Sequence, residues 1–174
     1  MSQVHQIQLK YDANQDRGLL RIRTRDDVEF RFWMTRRFVK LLWPMLVKVI
    51  EADEQVRSQA DEQARSAVMS FKHESAISRG DFSTPFEEPP EVRTPLGESP
   101  ILLSRIQIKR REDGTPVLTL LPLEGQGVQL ALDQTILHSL TKLIVDTSRL
   151  AEWDLELGIT RGSAITHAAP ERVN

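Results

Sequence analysis

The 174-residue chain carries 23 lysines and arginines against 25 aspartates and glutamates, a formal net charge of -2, with 40% hydrophobic residues and no cysteine. That is enough chain for one domain with a real core, or one domain built from two similar halves, and too little for a multidomain enzyme. The charge balance excludes a polycation, and the lack of cysteine excludes disulfides, thiolate metal sites, iron–sulfur clusters and a cysteine nucleophile.

The opening MSQVHQIQLKYD has no basic-then-apolar leader pattern. Apolar residues then alternate with polar ones at Ile7, Leu9 and Tyr11, at Leu20 and Ile22, and at Val28, Phe30 and Phe32. A period of two predicts three strands, separated by turn-forming DANQDRG and by Asp26-Asp27. After Thr35, a candidate N-cap, the period changes: Phe38, Leu41, Leu42, Met45, Leu46 and Val49 recur at three and four, which predicts a helix with a kink or break at Pro44, unless the helix starts nearer Pro44. Within it the run FVKLLWPMLVKVI has eleven apolar residues in thirteen, more than one buried stripe needs. It is too short and too interrupted by Lys40 and Lys48 to span a bilayer, so a soluble, cytoplasmic protein is expected.

Residues 51–78 are polar and free of glycine and proline, with a thin apolar stripe of Val56, Ala60, Ala64, Ala67, Val68 and Phe71. They predict a helical extension or a separate helix. Five of the nine prolines fall in 79–100, an acidic, extended tether that Phe82, Phe86 and Leu96 can pin down. The grammar of strands and helix then returns: Ile106 and Ile108, a turn at Glu112-Asp113-Gly114, Val117 to Leu121, a turn at Gly125-Gln126-Gly127, Val128 to Leu132, an Asp133 cap, and a helix with Ile136, Leu137, Leu140, Leu143, Ile144 and Leu150. The tail from Gly158 to the end is expected to be loosely held.

An offset of 98 carries Leu20, Ile22, Phe30, Phe32, Met34, Thr35, Phe38 and Leu42 onto Leu118, Leu120, Val128, Leu130, Leu132, Asp133, Ile136 and Leu140. A shared offset for strands, cap and helix predicts an α+β fold made by internal duplication of a three-stranded antiparallel sheet followed by a helix. The order is βββα (1–50), polar helical extension (51–78), tether (79–100), βββα (101–157) and tail (158–174), with a pseudo-twofold between the copies.

Charge is segregated along this plan. Residues 1–50 hold ten basic against five acidic residues, 51–98 hold five against eleven, and 99–174 hold eight against nine, giving +5, -6 and -1. Strand alternation turns Gln8, Lys10, Arg21, Arg23, Arg25, Glu29 and Arg31 outward, an arginine-rich sheet face that Arg36 and Arg37 extend. Lys10, Arg21, Arg23, Arg25, Arg31, Arg36 and Arg37 are thus candidates for gripping phosphates, although base-stacking aromatics are missing from the face. On the first helix, Val39, Trp43, Val47 and Ile50 exceed one stripe, so a cover is needed, either internal or another protein.

Catalytic patterns are thin. His5, His73, His138 and His167 show no metal-ligand spacing, and His138 reads as a surface or boundary residue. Asp12, Asn14 and Asp16 imitate a calcium loop, but Gly18 comes one place late and Arg23 stands where the closing glutamate belongs. A hairpin with side-chain-to-backbone bonds is the plainer reading. No catalytic residue, metal site or cofactor is expected, and no small-molecule substrate.

The run YDANQDRGLLRIRTRDDVEFRFWMTRRFVKLLWPML, with its aromatic-Arg-aromatic strand leading into Thr-Arg-Arg and Leu-Leu-Trp-Pro, resembles the N-terminal signature of a family of uncharacterised proteobacterial proteins of similar size. The likeness covers about fifty residues and implies no activity. Two copies of sheet-then-helix are similar to the Whirly and PUR groups of nucleic-acid binders, which have four strands per copy where three are read here. The expected function is a non-enzymatic binding or assembly module. Its partner is another protein or a second copy, met through Val39, Trp43, Val47 and Ile50, with no membrane contact. The alternative is nucleic-acid binding through the arginine face.

Overall fold

A computed structural model describes residues 3–87 and 91–159. The first sheet begins as the alternation dictates. β1 (Val4–Asp12) and β2 (Arg17–Thr24) pair antiparallel with Ile7 opposite Ile22 and Leu9 opposite Leu20; β3 (Glu29–Met34) adds on with Leu20 opposite Phe32. The calcium-like loop is a hairpin turn: Asp12 Oδ1 accepts from the Asn14 and Gln15 amides at 2.9 and 3.1 Å.

The same alternation builds a second sheet of β5 (Arg105–Arg110), β6 (Pro116–Leu121) and β7 (Val128–Ala131), with Leu118 facing Ile108 on one side and Leu130 on the other. Gly127 is obligatory at its last turn, because a Cβ there would sit 1.9 Å from the Leu120 carbonyl oxygen. One strand was not anticipated. β4 (Ile101–Leu102) lies parallel to β3, making the first sheet four-stranded. Its signal is two residues long, too short for a period. Beyond it, the Leu103 amide bonds to Trp33 O and the Ser104 amide to Leu121 O, so a continuous chain passes from one sheet to the other.

Among the described residues four helices complete the α+β architecture: α1 (Arg36–Glu51), α2 (Glu54–Arg57), α3 (Glu62–Arg79) and α4 (Gln134–Leu150). Thr35 and Asp133 cap α1 and α4 alike, each accepting from the amide three residues on. Thr35→Ala is expected to cost about 1 kcal/mol in urea denaturation. An unchanged midpoint would show the cap idle. The break expected at Pro44 is absent: α1 runs through it, and Pro44 lies on the exposed side. The hydrogen bond it forfeits is there replaceable by water.

α4 is the central element, packing against β1, α1 and α3. Five of the eight pairs related by the offset of 98 are buried at both members, Leu20, Ile22, Phe32, Met34 and Leu42 with Leu118, Leu120, Leu130, Leu132 and Leu140; Phe30 with Val128, Thr35 with Asp133 and Phe38 with Ile136 differ in burial. Both sets belong to one core.

The surplus on α1 is also in that core. Val39, Trp43 and Ile50 are 0%, 6% and 3% exposed, and Val47 is half-buried against them. This corrects the expectation that they need a foreign cover. α1 is flanked by α4 and α2, and its buried residues share one core with those of the sheets, so more than one stripe of it is sealed by its own chain. Phe71 is corrected in the opposite sense, being 71% exposed. It lies two residues past buried Met69, about 200° around the helix from the side facing α4. Among the described residues no helix is long and apolar enough to cross a membrane. The expectation for the tail falls largely on 160–174, outside the described residues.

Candidate functional site

The arginine face exists, and the chain itself occupies it. Arg21 stands directly opposite Arg31 across the β2–β3 pair, an arrangement of like charges that needs an anion. Glu29, 2% exposed, supplies it: Oε1 accepts from Arg21 Nε at 2.8 Å and from Arg31 Nε at 2.7 Å, and Oε2 from Arg21 Nη2 at 3.3 Å. Burial pushes the Glu29 carboxyl up, but the hydrogen bonds and charges of the two guanidiniums outweigh it and hold the group below its ordinary value.

Over this triad runs the segment that follows α3. The Phe86 ring lies 4.2 Å from the Arg21 guanidinium carbon. Glu87 takes Arg23 by two bonds, Nη1 to its carbonyl at 3.0 Å and Nη2 to its carboxylate at 2.7 Å. Farther along, Arg93 bridges to Val28 and its carbonyl accepts from the Glu29 amide at 2.9 Å, while Glu98 O accepts from Arg31 Nη1 at 3.2 Å. A cleft of about 440 Å³ remains between Arg21, Glu29, Arg31, Val92, Glu98 and Pro100.

The seven phosphate-gripping candidates therefore separate. Arg23 is 5% exposed, and Arg21, Arg23 and Arg31 are engaged with carboxylates and with the covering segment, so their expected outward freedom is corrected. Alternation put them on the face away from the helices, but that face is covered rather than solvated. Arg36 is spent on the carbonyls of Trp153 and Asp154. Trp153 is itself buried edge-on to Tyr11, with its Nε1 on Asp16 at 3.0 Å. Lys10, Arg25 and Arg37 remain exposed, and they do not share one element: Lys10 is on β1, Arg25 follows β2, and Arg37 opens α1.

The outward side of α1 is a different surface from the one expected. Arg37, Lys40, Leu41, Pro44 and Lys48 are exposed there, Leu41 by 52%. Among the described residues, Arg37, Lys40 and Lys48 form no ion pair or side-chain hydrogen bond. Separations of three and eight, with Leu41 four residues after Arg37 and Pro44 midway between the lysines, put them on one side of the helix. Sequence reasoning assigned Leu41 to the core and overlooked this stripe.

A second cluster had no sequence signal. His138, 1% exposed, meets His73 with Nδ1 to Nδ1 at 3.0 Å, joining α4 to α3. Its proton order follows from its partners. Asp53 accepts from Gln134 Nε2 at 3.1 Å and from Lys72 Nζ at 2.6 Å. The Gln134 amide oxygen therefore faces His138 Nε2, which must carry a hydrogen. His138 Nδ1 is then a bare acceptor, and His73 donates to it. Burial, with the positive charge of Lys72 and any on His73, pushes His138 down to about 4; burial also lowers His73. The reading of His138 as a surface or boundary residue is corrected, because α3 covers it.

Among the described residues no three or more His, Asp or Glu side chains are placed to hold a metal ion. A cleft of about 480 Å³ by α2 and α3 is lined by Glu51, Val56, Arg57, Glu62, Arg65 and Met69 among others, mixed charges without a convergent set. No family model, curated protein or solved structure matches this chain.

Proposed function

We propose that this chain is a non-enzymatic protein-binding module, assembled from two copies of a βββα unit, that engages an acidic partner protein through the outward side of α1. The single observation carrying this reading is the stripe of Arg37, Lys40, Leu41, Pro44 and Lys48: exposed and without ion-pair partners among the described residues, on a helix whose other side is fixed in the core. A rigid backbone presents these side chains at little ordering cost. Covering Leu41 is worth about 1 kcal/mol, and rim charges steer approach more than they hold. The mixture favours a protein over nucleic acid, since a phosphate backbone does not reward contact with Leu41 and Pro44. Self-association through this stripe is disfavoured, because two copies would set like charges face to face.

The test is charge reversal. Lys40→Glu with Lys48→Glu should leave the fold intact by circular dichroism and abolish the salt-sensitive capture of acidic proteins that the wild-type chain retains from its native cell extract. Retention of the same partners by the variant sinks the reading. So does oligonucleotide binding at low salt that the variant loses, which would point to nucleic acid instead. Light scattering should give the monomer mass.

A further inference from the structure

We infer that the pocket around Arg21 and Arg23 is a peptide-recognition site for an extended segment bearing an aromatic residue followed by glutamate, closed here by the chain's own Phe86-Glu87. This goes beyond the α1 reading and uses a different surface. The dipeptide is gripped at every kind of group it offers. Its Glu87 amide donates to Gln6 Oε1 at 3.1 Å, and its Glu87 carbonyl accepts from Arg23 Nη1 at 3.0 Å. The carboxylate takes Arg23 Nη2 at 2.7 Å and lies 3.8 Å from His5 Nε2, while the aromatic ring stacks on Arg21. Reading both backbone polar groups, one acid and one ring is how an extended peptide is selected.

The pocket is more permanent than its occupant. Gln6 of β1 stands in register with Arg23 of β2, and Arg21 with Gln8, while His5 sits at the irregularity of β1 between Val4 and Gln6; the Arg23 side chain is only 6% exposed. Glu87 lies outside any strand with its side chain 54% exposed, so it leaves without breaking a ladder. Arg23 Nε is buried with no hydrogen-bond partner, one donor that the internal dipeptide does not use. A purely structural clasp gains nothing from an idle buried donor. A ligand with one more acceptor does.

Because the internal copy competes at high effective concentration, the site must be opened to be measured. The experiment uses the full chain carrying Phe86→Ala and Glu87→Gln, titrated into a fluorescein-labelled peptide with the sequence of residues 81–87 and followed by polarisation. The opened chain should bind at least about tenfold tighter than wild type, and peptides with the Phe86 position changed to alanine or the Glu87 position to glutamine should lose at least about tenfold. Equal binding of all three peptides, or no binding by an opened chain that circular dichroism shows folded, overturns the proposal. Should the double variant fail to fold, excess peptide added to wild type must accelerate hydrogen exchange at the Glu87 amide. Unchanged exchange there also overturns it. Neither failure touches the α1 stripe, whose test reads different residues.

Discussion

Replacing Glu29 by glutamine is expected to lower stability at neutral pH by about 3 kcal/mol, a large share of what a domain of this size possesses. The carboxylate is 2% exposed and is the shared acceptor for Arg21 and Arg31, whose side chains are 13% and 30% exposed. Glutamine keeps the shape but leaves two facing guanidiniums without their anion, and its amide turns a donor toward donors. Urea denaturation should show the midpoint fall with the slope unchanged. The pH dependence gives a second check. Since the folded carboxyl sits below its ordinary value, its stabilisation is present above the unfolded value of 4.5 and is lost as pH falls through the folded one. The variant should lose stability less steeply in that acid range. A midpoint within error of wild type would mean that the arginines are neutralised by the covering segment alone.

Acidification of the wild type should remove about 3 kcal/mol through His138, in a window above that of the carboxylates. The unfolded imidazole takes its proton at 6.5, the folded one only at about 4. Below 6.5 the unfolded chain therefore binds more protons, stability declines as pH falls, and the loss is complete once pH passes about 4. About 2 kcal/mol of it is already gone at pH 5. Burial of the imidazole is the largest cause, and the hydrogen-bond geometry acts with it. A proton on His138 Nδ1 would face the His73 Nδ1 hydrogen, and Nε2 is already donating to Gln134. Lys72 also disfavours the charge on His138, and Asp53 only partly offsets it; on His73 the charge of Glu74 outweighs that of Lys142, and burial is what keeps the group lowered. Denaturation midpoints measured from pH 7.5 to 5 should slope for wild type and flatten for His138→Gln. Equal slopes would place the proton uptake elsewhere.

Strands, caps and helices were legible because each is written in neighbouring residues: the period of two in Leu20–Ile22 and Leu118–Leu120, and Thr35 and Asp133 each three residues before a bonded amide. β4 was not, because its two residues owe their pairing to β3 and carry no period of their own. The arginine face was legible as a face but not as a covered one. Alternation says which way Arg23 points relative to Ile22, whereas its burial depends on Glu87, sixty-four residues away. A hint did exist. Arg21 and Arg31, once placed in register, are like charges face to face with Glu29 two residues from one of them.

By itself the chain order determined an α+β protein with an oily first helix and an arginine-rich sheet, because secondary structure answers to local spacing and local capping. Only the tertiary structure decided which of these features meets solvent. It buried Trp43 beneath the chain's own core, laid Phe86-Glu87 across the arginines, joined His73 to His138, and left Arg37, Lys40, Leu41 and Lys48 outside. Burial is a property of what packs on a residue, and on this chain those neighbours arrive from dozens of residues away.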